Sequence, residues 1–566
     1  MKCAAGHERS DGASTALAAR GLRPAPPQRA APDGRRAPRR AARHERGARS
    51  RRAAPVQAAR WFDEPIEPRM PAAPAAELIN DDLAPTLAAQ RTLGAADMAL
   101  LWVALVVSTT TLMLAGSLVE LGMSWSQGVL TVFVGNLVTL VPLVLNAYPG
   151  TKYGIPFPVL CRAAFGIKGA NLPALSRALV ACGWFGINTT IGGNSIFQML
   201  QAVTGGGFAA PPLPGLGISG PELACFGFFW AVQVAIITRG IASIKAIEKY
   251  SAPVLVALAL ALLAWALTAA GGPGPMLSAP SRLAGPGAFA RAFVPAVTAQ
   301  VGYWATLALN IPDFSRYATS QRAQLLGQAW GLPPCMAAFS FVGLAVTSAS
   351  AVIYGSPIVD PVELLGRMRA PAAICVSLFG LILATLTTNI AANVVGPANA
   401  IVNLAPRRIT FAAGGVITAA LGAAIMPWKL LSSASSFVGW LVAYSSLLGP
   451  VIGVLIADFW AVRARRLDVD GLYCSDAGGP YWYRGGWNPA AVAAVAAGVA
   501  PCLPGMAAAL GLSAAPAAPA FAAIYDAAWF VGAGVAAATY CLLMRGAAGA
   551  AAERGGGGGG AAAAPA

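Results

Sequence analysis

Two side chains in the middle of a long apolar segment could bind a flat ring with a polar edge. Trp184 and Asn188 are four residues apart, so on a helix they lie on one face. An indole packs against a planar ring, and a carboxamide can both donate and accept hydrogen bonds at its edge. A second indole, Trp304, lies in another apolar segment. Two indoles on facing helices could hold a heterocycle between them, although tryptophans in such segments can also form interfacial belts.

A hydroxyl-rich stretch in the first apolar segment could expose backbone carbonyls. Residues 106–111 read Val-Val-Ser-Thr-Thr-Thr, and a helix tolerates such a β-branched run without favouring it. Where a membrane helix breaks, its free carbonyls and hydroxyls can coordinate a small cation or a solute. The alternative for most single hydroxyls here is ordinary packing between helices, in which serine and threonine are common.

The composition places these residues in a membrane protein. Of 566 residues, 57% are hydrophobic and only 11% are charged, and the mean hydropathy is +0.62. Soluble domains carry about 25% charged residues, which argues against an ordinary soluble enzyme. Both histidines, His7 and His44, lie near the N-terminus, so the apolar body has no histidine for a metal site or a catalytic triad. The apolar segments also contain no cluster of acids, so an enzyme is not indicated.

The apolar segments predict twelve membrane spans. A span needs about 20 mostly apolar residues. Windows of that kind fall at 97–120, 125–147, 171–203, 222–239, 251–271, 292–311, 327–354, 372–402, 409–427, 431–457, 487–511 and 520–545. Lysine and arginine concentrate in the loops after even-numbered windows, which is the asymmetry expected when alternate loops face the same side. An even number of spans follows, with both ends of the chain on the positive side.

Twelve spans with few internal charges indicate an all-α integral membrane protein of the secondary-transporter class. Such folds often contain inverted repeats with broken helices at the midplane. We therefore expect a five-plus-five, LeuT-like core over 91–460 (spans one to ten), followed by spans eleven and twelve over 461–545. The first and sixth helices are predicted to be broken, the sixth because Gly302, Asn310 and Pro312 interrupt it.

The net charge of +16 belongs largely to the N-terminus. The first sixty residues contain fourteen arginines and one lysine against four acidic residues. Residues 1–90 are rich in alanine, arginine and proline, and we expect a disordered basic tail. Its composition fits either an organelle transit peptide or a biased cytosolic tail. Nucleic-acid binding is not predicted, because the arginines lack interleaved aromatic residues. Residues 546–566 read as a low-complexity tail.

Several motifs resemble the nucleobase-cation-symport-1 family, whose members move purines, pyrimidines, allantoin or hydantoins. In family order along the chain they are GTKYGIPFPV (150–159), RAAFGI (162–167), GWFGIN (183–188), YWAT (303–306), LNIPDFSR (309–316), TTNIAAN (387–393) and ADFWAVR (457–463). Each motif alone is a weak signal, but together they are specific. The twelve-span form with a tail is most similar to the plant-type plastidic nucleobase transporters of the family.

The resemblance implies a substrate site. Trp184 and Trp304 would stack on the substrate ring, Asn188 and Asn393 would bind its edge, and Ser108 would line the same place. Family members usually carry Gln or Glu at the position of Asn188. Asparagine is one methylene shorter, so a larger base or a bridging water is implied.

The resemblance also implies a cation site and no other cofactor. Its ligands would be the backbone carbonyls of Ala104, Val107 and Ala384 and the hydroxyls of Thr387 and Thr388. These oxygens suit sodium, but threonine at a helix break also satisfies free carbonyls. Coupling to protons would call for a buried titratable group, and the spans contain no convincing relay. Sodium, proton and uncoupled transport all stay open.

The functional hypothesis is a secondary active transporter that moves nucleobases or related heterocycles of the uracil, purine and allantoin class by alternating access. The alternative is a LeuT-fold carrier for another small solute, such as an amino acid or a vitamin. The expected partners are a base-like solute and the lipid bilayer, with the chain acting as a monomer. The resemblance places it in the plastid (chloroplast) inner envelope, with the plasma membrane as the alternative.

Overall fold

A computed structural model describes residues 61–239, 256–368, 370–513 and 515–556. The predicted tail before residue 61 and the glycine- and alanine-rich end from residue 557 lie outside the described residues. Within the described ranges the regular elements are helices, accompanied only by isolated β-bridges such as Leu93 with Ala318. The all-α prediction is therefore confirmed for this part of the chain.

The helices have the following bounds. They are α1 (Ala95–Val106), α2 (Thr109–Glu120), α3 (Trp125–Tyr153), α4 (Phe157–Phe165), α5 (Asn171–Thr204), α6 (Gly220–Thr238), α7 (Val256–Ala269), α8 (Pro273–Leu277), α9 (Pro286–Asn310), α10 (Pro312–Ser315), α11 (Gln321–Tyr354), α12 (Pro361–Gly366), α13 (Pro371–Asn393), α14 (Val395–Val402), α15 (Phe411–Ala424), α16 (Ala434–Ile456), α17 (Val469–Leu472), α18 (Pro489–Val499), α19 (Leu503–Ala509), α20 (Pro519–Asp526) and α21 (Ala528–Gly556). A π-helical turn, Ala457–Val462, follows α16 directly.

These helices make the chain a multi-span membrane protein. Within the described ranges, eight helical segments are long and apolar enough to cross a membrane, and the bent pair α1–α2 would make a ninth. Helices α7 and α15 are apolar but shorter. Each of the twelve predicted windows contains at least one helix, although the count of twelve spans stays a prediction.

The first span is broken where the sequence predicted. Helix α1 ends at Val106, α2 begins at Thr109, and their axes differ by 62°. Ser108 begins the second helix, because its side-chain oxygen accepts a hydrogen bond from the Thr111 N–H at 3.3 Å. The break therefore places a helix end and a helix beginning side by side inside the protein.

The sixth span differs from its prediction. Helix α9 runs without a break through Gly302 to Asn310, and the chain turns only at Ile311 into the short α10. A Cβ at position 302 would overlap the Ser445 side chain and lie 2.8 Å from the Leu441 carbonyl oxygen. Gly302 thus allows α9 and α16 to pack closely, and the glycine does not interrupt the helix.

Residues 61–90 also differ from the prediction of a disordered tail that reaches residue 90. Leu83 is fully buried, and its carbonyl accepts a hydrogen bond from the Tyr473 hydroxyl at 2.6 Å. The Glu64 carboxylate contacts Tyr148, Lys152 and Arg465. A few apolar and charged anchors are enough to order this segment, although the basic composition around it favours disorder.

The helices pack in three groups. Helices α1 and α2 lie against α11, which also packs with α3, and α3 packs with α9. Helix α5 is surrounded by α6, α13, α14 and α15. Helix α16 contacts both α9 and α21. The break between α1 and α2 lies at the boundary between the first two groups, which positions the site described next.

Candidate functional site

A cavity lies where the break of the first span meets α5, α9 and α13. About 380 Å³ of space between atoms lies there, a volume that includes space open to solvent. Its lining residues are Leu105, Ser108, Thr110, Trp184, Asn188, Tyr303, Trp304, Thr306, Leu307, Thr388, Ala392 and Asn393. All of the predicted substrate residues line this cavity, so the structure brings them together. Of the predicted cation ligands, Thr388 lines it as well.

The aromatic wall contains three rings, Trp184, Tyr303 and Trp304, of which only the two indoles were predicted from the sequence. The Tyr303 ring stands edge-on to Trp184, with ring centres 5.1 Å apart, and edge-on to Trp304 at 4.8 Å. Tyr303 therefore lies in contact with both indoles, and the two indoles do not form a simple open slot. The sequence could have indicated Tyr303 only because it directly precedes Trp304. An aromatic residue in an apolar helix is far more often part of the core than of a binding site.

The Trp184 ring is held in place by hydrogen bonds that link three helices. Its indole N–H donates to the Tyr444 hydroxyl at 3.3 Å, and that hydroxyl donates to the Gly302 carbonyl at 2.7 Å. Trp440 packs against the same ring, with centres 4.9 Å apart. Since both its polar atom and its edges are fixed, Trp184 offers a preoriented surface to a ligand.

Trp304 offers a free hydrogen-bond donor. Its indole N–H is buried and has no hydrogen-bond partner among the described residues. Its ring packs edge-on against Trp102, with centres 5.2 Å apart. A buried donor without a partner is costly, so a ligand carbonyl that accepted this hydrogen bond would gain binding free energy.

The two predicted amides offer free acceptors. Asn188 donates its side-chain N–H to the Trp184 carbonyl at 3.0 Å, and Asn393 donates to the Asn389 side-chain oxygen at 2.9 Å. The side-chain oxygens of Asn188 and Asn393 accept no hydrogen bond within the described ranges. Asn389 in turn donates to Gln233 at 2.6 Å, a supporting contact that sequence reasoning missed.

A cluster of hydroxyl groups closes the cavity at the start of α2. The Tyr303 hydroxyl lies 2.8 Å from Thr110 Oγ1, 3.0 Å from Thr111 Oγ1 and 3.2 Å from Ser108 Oγ. Ser108 and Thr110 face the cavity from the N-terminus of α2, where the helix dipole favours negative charge or a carbonyl oxygen.

The predicted cation ligands fall on two adjacent elements. No backbone N–H of the described chain donates to the carbonyls of Ala104 or Val107, as expected at a helix break. The Thr387 hydroxyl donates to the Ala384 carbonyl at 2.9 Å. The break and α13 are in contact, because Thr109 Oγ1 lies 3.4 Å from Thr385 Oγ1. The ligand set itself stays a prediction.

Comparison with known proteins assigns the family. Residues 85–532 match the family described as permeases for cytosine/purines, uracil, thiamine and allantoin. The chain is 51% identical over 429 residues to the purine-uracil permease NCS1 of Arabidopsis thaliana, covering 76% of this chain and 71% of that protein. The chain belongs to the nucleobase-cation-symport-1 family. The resemblance of its motifs is thus confirmed, and it is a membrane permease rather than an enzyme.

Two other relatives extend the comparison across this family. The allantoin permease of Bacillus subtilis is 39% identical over 472 residues, covering 83% of this chain and 93% of that protein. The inward-facing structure of Mhp1 aligns with a TM-score of 0.68 and 26% identity, covering 84% of this chain and 96% of Mhp1. Mhp1 is also known in a closed conformation with bromovinylhydantoin bound. The fold of the described residues is therefore that of a nucleobase-cation-symport-1 transporter.

Proposed function

We propose that this protein carries nucleobases or related heterocycles across a membrane by alternating access. The observation that carries the proposal is the cavity at the α1–α2 break, where two indoles and two carboxamides from three helices meet. The names of the relatives, a purine-uracil permease and an allantoin permease, support the same class of solute.

The free polar atoms of the cavity favour a solute with adjacent N–H and C=O groups. The side-chain oxygens of Asn188 and Asn393 can accept from ring N–H groups, while the Trp304 N–H can donate to a carbonyl oxygen. Uracil, oxopurines and allantoin present such edges. No carboxylate is among the described residues that line the cavity, which disfavours the permanently charged vitamin thiamine as the solute.

The solute would move as one helix group rocks against another. The first group contains α1–α2, α3, α9 and α11, and the second contains α5 and α13. Because the cavity draws its lining from both groups, a change in their relative angle would open it to one side of the membrane and then the other.

Sodium is the coupling ion we favour, with proton-coupled and uncoupled transport as the alternatives. The free carbonyls of Ala104 and Val107 lie on the broken span, and the hydroxyls of Thr387 and Thr388 lie on α13, which contacts it. Oxygen ligands of this kind suit a hard monovalent cation at an unwound helix. The protein is proposed to act as a monomer.

The proposed membrane is the plastid inner envelope, and the plasma membrane is the alternative. The basic, alanine-rich composition of the first ninety residues supports the plastid. Fusing residues 1–90 to a fluorescent protein tests this. Chloroplast fluorescence is expected, and a diffuse cytosolic signal would contradict it.

The transport proposal is tested by uptake into proteoliposomes that contain the purified protein. Labelled uracil, adenine, guanine, allantoin and thiamine are supplied with and without a sodium gradient. Uptake of at least one base or of allantoin is expected, and a sodium gradient is expected to stimulate it. No uptake of any base or of allantoin would overturn the proposal, and uptake of thiamine alone would favour a vitamin carrier.

A further inference from the structure

A buried guanidinium, that of Arg177, lies near the cavity and has no role in the transport mechanism proposed above. Arg177 is 1% exposed and belongs to α5, two helical turns before Trp184. Helix α5 begins just after the loop that contains Lys168, one of the basic loops that mark the positive side of the membrane. Arg177 therefore lies between the cavity and that side.

The Arg177 side chain is only partly satisfied. Its Nη2 donates to the Asn310 side-chain oxygen at 3.1 Å, whereas Nε and Nη1 have no hydrogen-bond partner in the part of the chain that the structure describes. The nearby carboxylate of Asp313 is engaged elsewhere, since it accepts from the Asn310 amide at 3.2 Å and from the Phe157 N–H at 2.8 Å. Arg177 thus presents donors and forms no ion pair with any residue that the structure describes.

Helix α14 packs directly against the Arg177 guanidinium. A Cβ at Gly396 would overlap the Arg177 guanidinium, lying 2.7 Å from Nη2, so glycine is needed for the arginine to fit. One turn later, the side-chain oxygen of Asn399 is buried without a partner among the described residues. Unpaired donors on α5 and an unpaired acceptor on α14 are costly in a closed site.

The same elements line the cavity one or two turns away. Asn310 follows Leu307 on α9, and Gly396 follows Asn393 across the short step from α13 to α14. The bond from Arg177 to Asn310 joins the two helix groups that we propose to move. When α9 shifts relative to α5, this hydrogen bond opens. Nη2 then becomes a free donor in addition to Nε and Nη1.

We propose that Arg177 is a second binding station for the transported solute, between the cavity and the positive side of the membrane. Its free N–H groups donate hydrogen bonds to the carbonyl oxygen of the heterocycle as the Asn310 bond opens. The solute thus replaces the Asn310 side-chain oxygen as an acceptor for the guanidinium. The inference rests on the proposed function. It adds a contact that carbonyl-bearing solutes use and that carbonyl-free solutes, such as adenine, do not.

A matched control is provided by Arg162, which is equally buried but has hydrogen-bond partners for both terminal nitrogens, so that only its Nε lacks a partner among the described residues. It donates to the Leu472 carbonyl at 3.1 Å and to the Asn403 side-chain oxygen at 2.8 Å, and its guanidinium lies over the Tyr473 ring. These contacts hold α4 in place and do not border the cavity. A lysine at 162 therefore reports the effect of weakening a buried structural arginine.

The test compares Arg177→Lys with Arg162→Lys in proteoliposomes, measuring equilibrium binding and turnover for uracil and adenine. For Arg177→Lys we expect uracil binding to stay within about threefold of wild type and uracil turnover to fall about tenfold, the effect of one lost charge-assisted hydrogen bond. Adenine turnover should change less than about threefold, because adenine has no carbonyl oxygen and so makes no such hydrogen bond with Arg177 in the wild type. Arg162→Lys should change both solutes alike.

Three results would overturn the proposal that Arg177 is a second binding station. They are an unchanged uracil turnover in Arg177→Lys, an equal fall for uracil and adenine, or a fall in uracil binding that matches the fall in turnover. If the wild-type protein carries uracil but not adenine, the test rests on uracil alone: turnover must fall in Arg177→Lys while equilibrium binding is nearly unchanged. Failure of the proposed function is a separate outcome, because then the wild-type protein itself takes up no base.

Discussion

The Tyr303 hydroxyl and Thr110 Oγ1 lie 2.8 Å apart, and this contact ties α9 to the first turn of α2. The same hydroxyl reaches Ser108 and Thr111, so one phenol holds the whole beginning of the second half-helix. The Tyr303 ring meanwhile touches both indoles of the cavity. The aromatic wall and the helix break are therefore one connected structure.

Removing that phenol oxygen should loosen the break. We expect Tyr303→Phe to keep the ring contacts, lower the stability by about 1 kcal/mol for the lost hydrogen bonding, and reduce base uptake several-fold. Thermal unfolding in detergent and uptake in proteoliposomes measure the two effects. Tyr354→Phe is the control, because the Tyr354 hydroxyl has no hydrogen bond in the described ranges. Equal effects of the two substitutions would argue against a special role for Tyr303.

Trp184→Ala should lower base uptake about tenfold or more at low base concentration while the protein still reaches the membrane. Stacking on one aromatic ring contributes about 1–3 kcal/mol per base, so losing it weakens binding by about tenfold or more. Trp330→Ala is a matched control, because Trp330 is 73% exposed on the outer surface of α11. Uptake assays and membrane fractionation test both variants. Unchanged uptake by Trp184→Ala would remove the stacking role.

The length of the side chain at position 188 should set substrate preference. In Asn188→Gln the amide gains one methylene and reaches further into the cavity, so smaller bases should be favoured over larger ones. Competition of unlabelled uracil, guanine and allantoin against a labelled substrate measures the ranking. If Asn188→Gln and Asn188→Glu both keep the wild-type ranking, this side chain does not contact the solute.

Sodium coupling should depend on α13. If the Thr387 and Thr388 hydroxyls are ligands, Thr387→Ala and Thr388→Ala should raise the sodium concentration needed for half-maximal uptake about tenfold each, the effect of one lost ligand. Thr418→Ala is the control, because that threonine is not among the residues that line the cavity and donates to the Gly414 carbonyl of its own helix at 2.9 Å, as Thr387 donates to the Ala384 carbonyl. Sodium-titrated uptake gives the answer. Loss of base affinity with no change in sodium dependence would contradict the assignment.

Glu64 should make the stability fall in acid. Burial alone would raise the pKa of its carboxyl, but the Tyr148 hydrogen bond and the charges of Lys152 and Arg465 outweigh burial and hold the pKa below its usual range. The stabilisation is therefore complete above the unfolded pKa of about 4.3 and is lost as the pH falls through the lower folded value. Thermal unfolding between pH 7 and pH 3 should show a weaker dependence in Glu64→Gln, which is also less stable at pH 7.

A steeper acid loss in Glu64→Gln than in wild type would contradict this account. Asp81→Asn is the matched control, because that side chain lies in the same segment and makes no hydrogen bond or ion pair within the described ranges. Its unfolding profile should follow that of wild type.

The sequence predicted the break of the first span because its cause is local. A β-branched run with a serine that can begin a helix marks the position directly in the residues. Gly302 misled the same reasoning, since a glycine in a helix can either break it or allow close packing, and only the position of α16 decides between the two.

The candidate site was predictable in part for a similar reason. Trp184 and Asn188 share a helix face by spacing alone, and Asn393 and Ser108 followed from the family motifs. Tyr303 could not be separated from core aromatics, because its role depends on hydroxyls almost two hundred residues away along the chain. Arg177 was hidden in the same way, since its partner Asn310 lies on another helix.

The anchoring of residues 61–90 also bounds how the protein could mature. If a leader is removed on import into an organelle, the cut is expected before Glu64. A later cut would remove the Glu64 contacts with Tyr148, Lys152 and Arg465, and a cut beyond Leu83 would also remove the acceptor of the Tyr473 hydroxyl. The new N-terminus would start on a segment already packed against the positive side of the protein. Mass spectrometry of the mature chain would locate that first residue.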